Sequence, residues 1–130
     1  MKKSLLVILG CIVAVAMFSF TFLDNDQQTV INALNTGDAN KIVSYFDDVL
    51  DIKLPNKDEG KNIGKNQAGM LFKAFYNDND INNFSLTSQR EMGSTMYIAG
   101  KLTGKGQGYN ITLMLHNRGG KNSIFSVRIN

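Results

Sequence analysis

Side chains able to carry proton or metal chemistry are few in this sequence and stand far apart. His116 is the only histidine. A histidine works as a general base beside a nucleophile, or as one ligand among three or four around a metal. One ring without that company builds neither a triad nor a zinc site. Asp47, Asp48 and Asp51 cluster, but a calcium loop needs more oxygen ligands at regular spacing around a glycine turn. Capping and solvation account for them. Asp78-Asn79-Asp80 begins like a calcium loop and lacks the glycine and the distal glutamate, so it reads as a helix-ending turn. Gly104-Lys105-Gly106-Gln107-Gly108 could wrap a phosphate if it preceded a helix N-terminus. It stands between two alternating runs instead, and reads as a hairpin turn. Cys11, the only cysteine, lies in an apolar run, which leaves the rest of the chain without a disulfide or thiolate metal site.

The elements that must position these residues follow from hydrophobic spacing. Residues 24–35 read as a helix with Val30, Ile31 and Leu34 on one stripe. Gly37 suits its C-cap and Asp38 the N-cap of a second, short helix that buries Ile42, Val43 and Phe46. Residues 48–54 alternate as a strand ended by Pro55. Residues 56–65 are polar and glycine-bearing, a loop. Residues 66–77 return to helical spacing through Met70, Leu71, Ala74 and Phe75. Beyond Asp80 the period changes to two. Four strands follow around Phe84, Ile98, Leu113 and Val127, separated by glycine-bearing hairpin turns. The order is α-α-β-α-β-β-β-β, which predicts an α+β domain with helices on one face of an antiparallel sheet.

The N-terminus sets the compartment. Lys2 and Lys3 precede a run from Leu5 to Leu23 without a charge, the pattern of a secretory signal. Positive charge stays on the cytoplasmic side, so the remainder is expected to be exported to the periplasm or cell envelope. Ala14-Val15-Ala16 offers small residues for cleavage. The run is also long enough to span a membrane as a retained anchor, and Ile8-Leu9-Gly10-Cys11 loosely resembles a lipidation motif. Any membrane contact runs through residues 1–23 alone, and 24–130 form one domain. Of 14 basic residues, two sit in this leader, leaving 12 against 11 acidic ones. A near-neutral domain carries no electrostatic footprint for nucleic acid.

Local motifs add a resemblance. Gly37-Asp38-Ala39, Tyr45-Phe46-Asp47, Leu54-Pro55, Lys65-Asn66-Gln67-Ala68, Phe72 and Phe75 occur in order. They are followed by Tyr97-Ile98-Ala99-Gly100-Lys101-Leu102-Thr103, Tyr109 and Arg128-Ile129. Together they resemble the exported Bacteroidetes family called domain of unknown function 4783, of nuclear transport factor two-like (cystatin-like) fold. The resemblance implies a curved antiparallel sheet packed on three helices. It implies no catalytic residues and no cofactor.

Enzymes of that fold place a carboxylate or histidine with a tuned pKa between sheet and helices. The faces expected to point inward carry Phe84, Leu86, Ile98, Leu102, Ile111, Leu113, Leu115, Phe125, Val127 and Ile129, none of which titrates. Two uses remain. Phe72, Phe75, Phe84, Ile98, Leu113 and Phe125 could line a pocket for an apolar small ligand, or simply fill a core. Tyr97, Met114, Ile124, His116 and Arg128 are expected on the outer face, as a contact patch for a second copy or another envelope protein.

Overall fold

A computed structural model describes residues 25–130. The leader at 1–23, with Cys11 and its cleavage, anchor and lipidation alternatives, lies outside the described residues. The elements are α1 (Asn25–Thr36), α2 (Ala39–Ser44), β1 (Phe46–Lys53), β2 (Gly60–Gly64), α3 (Lys65–Asp78), β3 (Asn83–Met92), β4 (Thr95–Thr103), β5 (Tyr109–Arg118) and β6 (Lys121–Ile129).

Gly37 ends α1 with φ +72°, and the Asp38 N–H reaches back to the Ala33 carbonyl at 2.9 Å. The Asp38 carboxylate then accepts the Lys41 N–H at 3.1 Å and starts α2. This is the cap-to-cap handover that the Gly37-Asp38 pair predicts. The strands form one sheet in the order β2-β1-β6-β5-β4-β3. Every pairing is antiparallel except β1 with β6, which is parallel. α1 packs on β3 and α3 on β1 and β2, so the helices cover one face.

Strand β2 lies in the stretch expected to be a loop. Its one large apolar residue is Ile63, so it shows no alternation to read. Pairing with β1 through Val49↔Gly64 and Leu50↔Ile63 makes it a strand. β1 also starts earlier than expected and takes Phe46 from the second helix.

Two bulges decide which side chains face inward. In β6, Leu115 pairs with Ile124 while Met114 pairs with Ser126. Phe125 is the extra residue, and a bulge of one residue exchanges the faces on either side of it. Ile124 is therefore fully buried, in line with Val127 and Ile129. Phe125 turns outward and stacks on His116, ring centroids 4.7 Å apart. This reverses the faces expected for both: Ile124 belongs to the core and Phe125 to the outer surface. In β3 the shift falls between Leu86 and Ser88. Leu86, expected inside, is 46% exposed on this edge strand.

The core is built around α3. Phe72 is fully buried. Its ring lies 5.6 Å from that of Phe46 and 4.6 Å from that of Tyr76. Phe75 meets Tyr109 of β5 edge-on at 5.1 Å. Each such ring contributes on the order of 1.5–3 kcal/mol by leaving water. Phe84 lies over Gly100, where an added Cβ would come within 2.5 Å of two ring carbons. That missing side chain lets the edge strand fold close over β4.

Candidate functional site

The outer face of the sheet, opposite the helices, brings side chains of several strands together. Tyr97 and Met114 are cross-strand partners at its centre, each half-buried by its neighbours. Phe125 and His116 stack beside them. The His116 Nε2 lies 2.7 Å from the Asp47 Oδ2. Arg128, exposed, donates to Glu59 at 2.7 Å. Of the five residues expected here, four stand on this face and Ile124 does not.

The parallel β1–β6 pairing brings Asp47 to His116, 69 positions apart in sequence. Partial burial of Asp47 opposes its ionisation. The Asp48 N–H, the His116 ring and the charge of Arg118 outweigh that penalty and hold its carboxyl below the usual range. The pair fixes the imidazole against Phe125. The side-chain hydrogen bond of this ring, among the described residues, is the one to Asp47. Among the described residues, no three or more His, Cys, Asp and Glu side chains come together as a metal site would require.

The pocket candidates lie elsewhere. Phe72, Phe75, Phe84, Ile98 and Leu113 are buried in the common core, and Phe125 is on the opposite face. Clefts open at the margins. One of about 570 Å³ lies where α1 and α3 end, against Gly37, Asp80, Gly104 and Lys105. Another of about 470 Å³ lies between the β3–β4 and β5–β6 turns, against Glu91, Met96, Asn117 and Asn122. Among the described residues, two buried polar atoms have no hydrogen-bond partner, the Gln27 Nε2 and the Tyr76 hydroxyl. Burial pushes the Tyr76 hydroxyl well above its ordinary pKa. The Gln27 Oε1 accepts from the Gln89 Nε2 at 2.6 Å, tying α1 to β3.

Sequence reasoning missed Asp47, Phe125, Arg90 and Asp51 as members of the outer face. Alternation around Met96-Tyr97-Ile98 was enough to place Arg90 once β3 and β4 are paired. The other three depend on a bulge and on a parallel pairing, neither of which has a local signal.

The sequence profile of the family described as Domain of unknown function (DUF4783) matches residues 27–130. The chain belongs to that family. No curated protein matches it significantly. Among solved structures, this DUF4783 domain is similar to a DUF4783 family protein from Bacteroides ovatus, at 19% identity and TM-score 0.72, covering 78% of this chain and 90% of that one. It is similar to an NTF2-like protein of unknown function from Cytophaga hutchinsonii, at 14% identity and TM-score 0.55, covering 79% and 83%. An uncharacterized cystatin fold protein from Novosphingobium aromaticivorans gives 15% identity and TM-score 0.58, covering 80% and 93%. These likenesses establish the fold of the DUF4783 domain: three helices against a curved six-stranded sheet.

Proposed function

We propose that this DUF4783 domain is a non-catalytic interaction module of the cell envelope, which docks a protein on the outer face of its sheet. The observation that carries the reading is the continuous patch of Tyr97, Met114, Phe125 and His116. Aromatic and methionine side chains at the centre with charged groups at the rim are the composition of a docking surface. Lys2 and Lys3 ahead of the uncharged run from Leu5 to Leu23, the pattern of a secretory signal, support a position for that surface outside the cytoplasm. Carriage of an apolar ligand would need open space among Phe72, Phe75 and Leu113. There the neighbouring rings stand 4.6–5.6 Å apart, the spacing of packed aromatics.

The test is photo-crosslinking in intact cells, with a photoreactive residue in place of Tyr97 in the full chain. The control position is Met70, which is 72% exposed on α3 away from this face. A discrete adduct from position 97 and none from position 70 supports the reading. Equal, diffuse labelling at both positions, or none at either, overturns it.

A further inference from the structure

Register places five outer-face residues in one row across the sheet. Arg90 of β3 stands opposite Tyr97 of β4, Tyr97 opposite Met114 of β5, Met114 opposite Ser126 of β6 and Ser126 opposite Asp51 of β1. The row is charged at its ends with opposite signs, and Met114 is its midpoint. Arg90 has no ion-pair partner among the described residues. Asp51 accepts the Asn62 N–H with Oδ1 at 2.9 Å and likewise has no cation beside it.

From this we infer that the partner on the outer face is a second copy of the same chain, sheet against sheet about a two-fold axis running along β5. The inference rests on the outer-face reading above. Such an axis turns the row over onto itself. Met114 meets Met114, Tyr97 meets Ser126, and Arg90 of each copy meets Asp51 of the other. An axis perpendicular to the strands within the interface would set Arg90 on Arg90 and Asp51 on Asp51. The charge pattern thus selects one of the two arrangements by complementarity. The next row, Ser88, Ala99, Thr112, Arg128 and Lys53, sets Ser88 on Lys53 and Ala99 on Arg128, with no like charges in contact. Arg118, near the axis at the β5–β6 turn, is close enough to Asp47 for its charge to help lower that carboxyl's pKa.

Size agrees. Five strands about 4.8 Å apart and nine residues at about 3.4 Å rise give a face on the order of 700 Å². A standard interface buries about 800 Å² per partner. Two-fold symmetry also makes the surface self-complementary, as the commonest homo-oligomers require.

The experiment is sedimentation of the full chain, purified from the envelope as the cell processes it. The parent is expected to be a dimer. Arg90→Glu and Asp51→Lys each turn two attractive contacts into repulsive ones and should weaken the dimer about tenfold or more. Mixed in equal amounts, the two variants restore both contacts in a heterodimer, so the mixture should recover parental affinity. A misfolded variant could not be rescued in this way. A monomeric parent, or a mixture as weak as its components, overturns the inference. If the Tyr97 crosslink then still yields an adduct of another mass, the docking reading stands with a different partner. If it yields none, both fall.

Discussion

Replacing Gly100 by alanine tests the packing that curves the sheet. A Cβ there would lie 2.3 Å from the Ser85 carbonyl oxygen and 2.5 Å from two carbons of the Phe84 ring. Carbon atoms rest about 3.5–4.0 Å apart, so the ring must retreat by about 1 Å. The carbonyl belongs to the backbone of β3 and cannot turn aside as a side chain can. Overpacking of this kind costs about 1–3 kcal/mol. Alanine recovers roughly 0.5–1 kcal/mol of the entropy that glycine loses in a strand. The net expectation is a loss of about 1–2 kcal/mol, or a fall in Tm of about 5–15 °C for a domain of this size. Urea denaturation should show a lower midpoint at unchanged slope. Adding Phe84→Leu, a smaller and more mobile side chain, should make the pair less damaging than the sum of the two singles, by at least about 0.5 kcal/mol. A Gly100→Ala variant as stable as the parent, or strict additivity in the cycle, would refute the claim that Phe84 sits on this glycine.

Three further perturbations probe other parts of the molecule. Asp47→Asn should cost less than about 1 kcal/mol, because the pair with His116 is partly exposed. The Asp47 carboxyl is held below its ordinary pKa of 3.8, so its contribution is complete above the unfolded value and disappears as pH falls through the lower folded one. The Tm difference between parent and variant should be full near neutrality and shrink as pH falls below the ordinary 3.8; a difference that widens in acid contradicts this. Ile124→Lys should remove at least about 4 kcal/mol by placing a charge in the core, whereas Phe125→Lys should fold with a loss of roughly 1 kcal/mol; circular dichroism melts of both settle the bulge assignment, and the reverse ranking would disprove it. Gly37→Ala combines a left-handed backbone with a Cβ 2.6 Å from the Ile81 carbonyl oxygen, and should cost at least about 2 kcal/mol by chemical denaturation; a neutral result would mean that the α1–α2 junction relaxes.

The sequence carried the domain's class because its signals are local. Val30, Ile31 and Leu34 mark a helix by spacing, Gly37-Asp38 marks a junction, and the alternation around Ile98 and Leu113 marks strands. What escaped is non-local. β2 is held by its partner's backbone and has only Ile63 to announce it. A single inserted residue turned Phe125 outward and Ile124 inward while the run 124–129 still looked like plain alternation. The meeting of Asp47 with His116 needs the parallel pairing of two strands far apart in the chain, which no window of sequence contains. Of the outer face, Tyr97, Met114 and His116 were readable, since they lie in strands whose alternation holds, and so was Arg128, which lies on the regular part of β6 beyond its bulge.

The parallel pairing of β1 with β6 also has a consequence in time. β6 is the last of the six strands to be synthesised, yet it stands in the middle of the sheet, between β1 and β5. Until it emerges, β1 and β2 form an isolated hairpin, and the β3–β5 meander has a bare edge where β6 will lie. The sheet closes only once the C-terminal strand is present, and contacts that span the chain are the slow ones to form. A nascent chain of this topology stays open until its sixth strand has been made. The strand that completes the core thereby also sets the earliest moment at which it can close.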